Sequence, residues 1–115
     1  MAISQRKDGD VTILEISGPI TIGRGDVQVR ESVQSAVTAG EQRILLDLHG
    51  VTALDSSGVG ELMAAYTSIA NRGGQMKLAR LSPKVDSVLQ VTRLSGVLDS
   101  YATQEDALVA FAQGS

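Results

Sequence analysis

The sequence ILLDLHGVTALDSSGVGELM, from Ile44 to Met63, decides how the rest of the chain is arranged. Its first residues form an apolar run of strand length, and its last residues have the spacing of a helix with one buried face. Between these segments, Asp55, Ser56 and Ser57 precede Gly58. Such side chains cap helix N-termini, because their oxygen accepts a hydrogen bond from a free backbone N–H. The stretch therefore predicts a buried strand, a polar corner and a helix.

The composition predicts one globular domain over residues 1–115, with 43% hydrophobic and 20% charged residues. We find no apolar run that could span a bilayer and no secretory signal, so we expect a cytoplasmic protein. The chain has no cysteine and a single histidine, which excludes disulfides, thiolate metal sites and a multi-histidine metal centre. A net charge of −3 disfavours nucleic acid as the main partner.

The hydrophobic pattern predicts the element order β-β-α-β-α-β-α-β-α. Alternating strands and helices favour an α/β fold with a mostly parallel sheet and right-handed crossovers. We expect Gly18-Pro19 to end the second strand, and His49-Gly50 to form the turn after a central strand at Ile44–Leu48. In the first helix, Asp26 is the predicted cap and Val27 belongs to the predicted apolar face.

The later elements also carry clear end signals. Ser82 is the predicted cap of the third helix, with Pro83 in its first turn. Val97–Tyr101 is predicted to be a short strand. Thr103, with Asp106 three residues later, predicts the cap of the last helix.

Three kinds of site that the residues could suggest are weakly supported. A serine hydrolase would use Ser56 or Ser57 with His49, but the pattern Gly-x-Ser-x-Gly is absent and His49 lies too close along the chain. Asp47 and Asp55 lack a further oxygen ligand for Mg²⁺, and we interpret them as a solvated loop residue and a cap. The basic residues of the segment 72–93 are interpreted as a solvated face, or else as complementary to an acidic protein; they are Arg72, Lys77, Arg80, Lys84 and Arg93.

The polar corner contains more polar side chains than one helix cap requires. Asp55, two hydroxyls and a glycine stand together where the helix begins. A phosphate on either serine would add about −1.5 to −2 charges beside a helix N-terminus that favours them, while Asp55 would oppose them. These residues alone do not choose between Ser56 and Ser57.

The chain resembles the STAS domain family, and within it the bacterial anti-sigma factor antagonists. The residues that carry this resemblance are Leu45–Leu48, Val51–Gly60, Arg72–Leu78, Ser82–Val85 and Leu89–Thr92. The resemblance implies a β-α superhelix around a small sheet and a regulatory protein that is not an enzyme. It further implies phosphorylation of Ser56, less favourably of Ser57, by a serine kinase that is also the anti-sigma factor. With Ser56 as the acceptor, Ser57 is the expected cap of the helix.

In such a cycle the unphosphorylated protein binds the kinase and releases the sigma factor, and a phosphatase restores that form. ATP and magnesium belong to the kinase, so no cofactor or metal is expected here, and the free chain is expected to be a monomer or weak dimer. The partner-binding residues implied are Asp55, Ser56, Ser57, Gly58, Thr21 and Glu61. Thr21 stands where many antagonists have an acid. Glu61 stands where an apolar residue is common, and we expect it to lie in the first turn of the helix. The alternative is a scaffold module in a stressosome-like or transporter-associated complex.

Overall fold

The five strands lie side by side in the order in which they occur along the chain in a computed structural model, which describes residues 1–113. β1 pairs antiparallel with β2, and β2 to β5 are parallel. The elements are β1 (Ala2–Asp8), β2 (Val11–Ile20), α1 (Asp26–Thr38), β3 (Arg43–Leu54), α2 (Ser56–Asn71), β4 (Gln75–Ala79), α3 (Pro83–Val91), a 3₁₀ turn (Leu94–Gly96), β5 (Ser100–Tyr101) and α4 (Gln104–Ala112). This confirms the predicted order and the α/β class. The predicted domain, 1–115, includes Gly114 and Ser115, which lie outside the described residues.

Helices cover both faces of the sheet, which is why the central strand is apolar on both sides. Alternate residues of a strand point to opposite faces, so Leu46 and Leu45 of β3 enter different cores. The larger core includes residues of α1, α2 and α3, among them Val29, Val33, Leu62, Ile69, Val85 and Leu89. The smaller core lies under α4 and contains Val11, Ile13, Leu45, Ala79, Ala107 and Phe111.

Two strands are longer than the sequence predicts. β2 continues through Gly18-Pro19 to Ile20, and β3 continues through His49-Gly50 to Leu54. The pairing of β2 with β3 shifts register twice along this extension, the second time between Gly18 and Pro19. Such irregularities let a strand accept a proline, which has no N–H to donate to the ladder. The predicted strand end at Gly18-Pro19 and the predicted turn at His49-Gly50 are therefore wrong.

The start of α1 also differs from the prediction. Its N-cap is Gly25, with a left-handed φ of 116°, and no side chain caps this end. Asp26 is instead the first helical residue, and its Oδ1 accepts hydrogen bonds from the N–H groups of Gly23 at 3.0 Å and Val27 at 2.8 Å. Val27 is 44% exposed, because it follows Asp26 by about 100° around the helix and so leaves the buried face.

The caps of α3 and α4 agree with the sequence. The hydroxyl of Ser82 accepts from the N–H of Val85 at 3.4 Å, and that of Thr103 accepts from the N–H of Asp106 at 3.0 Å. The predicted strand Val97–Tyr101 is shorter, since only Ser100 and Tyr101 pair with β4. Within residues 1–113, no helix has the length and apolarity needed to cross a membrane.

Asp47 is a buried residue of β3, so its interpretation as a solvated loop residue is wrong. It is 1% exposed, and its carboxylate accepts from the His49 N–H at 3.0 Å and from Arg80 Nε at 2.8 Å. Gln104 of α4 donates to the same carboxylate at 2.5 Å and to Glu15 at 2.8 Å. This network fastens the beginning of α4 to the middle of the sheet.

The basic residues between Arg72 and Arg93 do not form one solvated face. Lys77 is only 6% exposed, and its ammonium lies 5.5 Å from the ring centre of Tyr101 and 5.4 Å from that of Phe111. Arg80 is exposed as well as bonded to Asp47, and Arg72, Lys84 and Arg93 are also exposed. Lys77 differs from the other four because it alone lies within β4, with its side chain on the face that α4 covers.

Candidate functional site

The polar corner lies where two neighbouring parallel strands end. Ile20, the last residue of β2, pairs with Leu54, the last residue of β3. The loop that follows β2 and the start of α2 therefore meet at the same edge of the sheet. This edge is where parallel α/β sheets place their functional loops.

Asp55 caps α2, which confirms its interpretation as a cap rather than a metal ligand, and the expectation that Ser57 is the cap is wrong. The backbone of Asp55 is extended, and its Oδ1 accepts from the Gly58 N–H at 2.9 Å. Asp55 can do this because it precedes the first helical residue, whereas Ser56 and Ser57 already belong to the first turn of α2. Ser56 is exposed and Ser57 is half-buried. The cap thus leaves the Ser56 hydroxyl at the surface.

The second oxygen of the Asp55 carboxylate holds the loop after β2. Oδ2 accepts from the backbone N–H of Ile22 at 3.0 Å. The hydrogen bonds from Ile22 and Gly58 lower the pKa of Asp55 below its ordinary value, because both N–H groups favour the charged carboxylate. One ionised side chain therefore joins the loop to the helix that carries Ser56.

Gly58 is required by the close approach of α2 to β2. A Cβ at this position would lie 2.1 Å from the carbonyl oxygen of Ile20 and 2.6 Å from Leu54 Cδ1. The first is a backbone atom that cannot move independently of the sheet. The absence of a side chain at Gly58 thus sets the position of the whole corner.

The loop from Thr21 to Gly25 is a tight turn that projects an isoleucine. The Arg24 N–H donates to the Thr21 carbonyl at 2.9 Å, and the Thr21 N–H donates to the Arg24 carbonyl at 3.3 Å. The side chain of Ile22, inside this turn, is 73% exposed. No role for Ile22 is predicted from the sequence; the available signal was an apolar residue directly before Gly23-Arg24-Gly25.

Glu61 lies further along α2 and faces α1. The Nη2 of Arg30 donates to it at 2.9 Å, and Nε contacts both carboxylate oxygens at 3.2 Å. The pairing raises the pKa of Arg30 above its usual value, through the hydrogen bond and the charge of Glu61. The first turn of α2 contains no acidic residue, so the placing of Glu61 in that turn is wrong. Its carboxylate joins α1 to α2.

Of the predicted site residues, the structure brings Asp55, Ser56, Ser57, Gly58 and the Thr21 turn together at one corner. His49 is separate, because it precedes the end of β3 by five residues, a distance of about 16 Å along a strand. Asp47 is a buried residue of β3 that binds Gln104, the first residue of α4. Within residues 1–113, no group of three or more His, Asp or Glu side chains could hold a metal ion. The corner thus offers a surface hydroxyl without an adjacent histidine.

Comparison with known proteins agrees with this geometry. The anti-sigma F factor antagonist of Paenibacillus polymyxa is 28% identical over 99 residues, which are 85% of this chain and 84% of that protein. The crystal structure of tm1081 from Thermotoga maritima has a TM-score of 0.87 and 26% identity, covering 94% of this chain and 92% of that one. The Bacillus cell fate determinant SpoIIAA in its phosphorylated form has a TM-score of 0.73, covering 96% and 99%, and at 21% identity it shows likeness of fold alone.

A family model described as the STAS domain matches residues 2–107. This match covers nearly all of the sheet and the helices that carry the corner, and it confirms the resemblance found in the sequence. The protein therefore belongs to the STAS domain family.

Proposed function

We propose that this protein is an anti-sigma factor antagonist that acts in the cytoplasm by exchanging partners under the control of Ser56 phosphorylation. The observation that supports this most directly is the position of Ser56. Its hydroxyl is exposed at the start of α2, while Asp55 performs the capping that would otherwise occupy it. A kinase can therefore reach Ser56 without removing a cap from the helix.

The proposed cycle has two states. Unphosphorylated, the chain binds an anti-sigma factor that is also a serine kinase, and the sigma factor is released. A phosphate on Ser56 adds about −1.5 to −2 charges beside Asp55, and the resulting repulsion and desolvation cost weaken that complex. A phosphatase restores the first state. The chain supplies only the acceptor serine, and ATP and magnesium belong to the kinase.

Exposure favours Ser56 over Ser57 as the acceptor. Ser57 is half-buried, and Glu61 follows it by four residues, which places the two side chains on one face of α2. A phosphate on Ser57 would lie on the face of α2 where Arg30 and Glu61 form their ion pair, and would disturb that contact between α1 and α2. Ser56 is exposed and lies about 140° around α2 from Glu61, so a new charge there stays in solvent, where it costs less. The role is therefore that of a substrate and binding protein, with no catalysis of its own.

Phosphosite mapping tests the proposal. The purified chain is incubated with the cognate anti-sigma factor kinase, ATP and magnesium, and its intact mass is measured. We expect a gain of one phosphate in the wild type and in Ser57→Ala, none in Ser56→Ala, and undiminished kinase binding by Ser56→Ala. An undiminished phosphorylated species in Ser56→Ala would refute the assignment. Ser56→Asp should bind the kinase more weakly, and equal affinity would refute electrostatic release.

A further inference from the structure

We propose that Ile22, in the turn Thr21–Gly25, is the main apolar residue through which the kinase binds this protein. Asp55 holds the turn in place. The inference rests on the proposed function, since it names the contact surface of the same partner. It adds a residue outside the acceptor serine and assigns Asp55 a positioning role. The argument has three steps.

The first step is exposure. Ile22 is 73% exposed in a chain whose other isoleucines are largely covered. Leaving an isoleucine in water forgoes the favourable free energy of its burial, so the free protein gains nothing in stability from this side chain. A large apolar side chain at the surface contributes to binding free energy when a partner covers it.

The second step is rigidity. The Ile22 N–H is bonded to Asp55 at 3.0 Å, and the turn is closed by the two hydrogen bonds between Thr21 and Arg24. Asp26 holds the next N–H, that of Gly23, at 3.0 Å. Every one of these bonds fixes the backbone and leaves the Ile22 side chain free. A side chain presented on a fixed backbone loses less conformational freedom when it binds.

The third step identifies the occupant. Asp55 directly precedes Ser56 and also binds the Ile22 backbone. A kinase that brings its phosphate donor to the Ser56 hydroxyl must therefore cover the adjacent turn. Ile22 supplies apolar contact there, and Ser56 supplies the hydroxyl that is modified. A phosphate on Ser56 would add its charge beside the Asp55 carboxylate, which holds the turn that carries Ile22. Phosphorylation would therefore act on a residue that also positions the binding surface.

The test compares Ile22→Ser with Val91→Ser. Val91 is 84% exposed and ends α3, at the edge of the sheet opposite to Ser56. Burying an exposed fraction of 73% of an isoleucine corresponds to a loss of about 5- to 40-fold in affinity when it is replaced by serine. We expect this loss for Ile22→Ser in titrations with the cognate kinase, and wild-type affinity for Val91→Ser. Circular dichroism melting of both variants should match the wild type.

Phosphorylation kinetics separate this inference from the proposed function. In assays with kinase and Mg-ATP, Ile22→Ser should raise the KM for the protein substrate by a similar factor and leave kcat unchanged. Wild-type KM and affinity for Ile22→Ser would overturn this role of Ile22 while leaving Ser56 as the acceptor. Absence of phosphorylation in the wild type would overturn the proposed function itself. A dimer of the free chain that Ile22→Ser dissociates, with kinase affinity unchanged, would assign Ile22 to self-association and also overturn its role in kinase binding.

Discussion

Replacing Gly58 with alanine should destabilise the fold and move Ser56. The new Cβ would lie 2.1 Å from the Ile20 carbonyl oxygen and 2.6 Å from Leu54 Cδ1, so the end of β2 and the start of α2 must separate by about 1 Å. Overpacking of this kind costs about 3 kcal/mol when a backbone atom is the obstacle. Alanine also favours a helix over glycine by about 1 kcal/mol. The net loss is therefore about 2 kcal/mol, or about 8 °C in Tm for a chain of this size.

The matched control is Gly60→Ala, two residues later in the same helix. A Cβ at Gly60 meets no atom within 4 Å. This variant should gain up to about 1 kcal/mol from helix propensity alone. Urea unfolding of the three proteins, followed by circular dichroism, gives the two differences directly. Equal stability of Gly58→Ala and Gly60→Ala would refute the reasoning that close approach to β2 fixes the corner.

Three further predictions concern charge. Asp47→Ala should lower the free energy of unfolding by about 3 kcal/mol in urea titrations, because it leaves donors from Arg80 and Gln104 without their buried acceptor; a change within experimental error would contradict this. The lowered pKa of Asp55 makes its contribution complete above the ordinary aspartate pKa and lost as the pH falls through the lowered pKa. Stability curves against pH should accordingly show a smaller decline in acid for Asp55→Asn than for the wild type, and parallel curves would argue against this. Lys77→Met should keep or raise Tm, since it fills the same space between two rings without a buried charge. A marked loss would indicate that the ion pair of Lys77 Nζ with the Asp99 carboxylate, at 3.5 Å, matters more.

Local signals were sufficient for much of the fold. Ser82 and Thr103 act on backbone groups three residues away, so their sequence positions alone predicted the caps. The same holds for the alternation of strands and helices. The extensions of β2 and β3 depend instead on a shift of register between two strands, and neither strand carries a sign of it apart from glycine and proline.

In the candidate site, too, local signals predicted some features, and others depend on contacts between distant residues. Its location at Asp55–Gly58 followed from the strand-to-helix pattern and from the family resemblance. The choice of Asp55 as the cap depends on which residue is the first to become helical, and hydrogen-bonding residue types that stand side by side do not decide this. The importance of Ile22 is a long-range property, since its backbone partner Asp55 is 33 residues away. Likewise, in the sequence Asp47 only interrupts an apolar run, because its partners Arg80 and Gln104 are distant along the chain.

The network around Asp47 has a consequence for synthesis on the ribosome. Each strand from β2 to β5 pairs with the strand made before it, so the sheet can assemble as the chain emerges. Asp47, however, remains without its bond from Gln104 until α4 has been made. A nascent chain that has completed β4 can thus pair β1 to β4 in their final order. The Asp47 carboxylate is then still incompletely paired, on the face of the sheet that α4 will cover. We expect this face to be the last to become buried, and therefore to stay accessible to chaperones for the longest time.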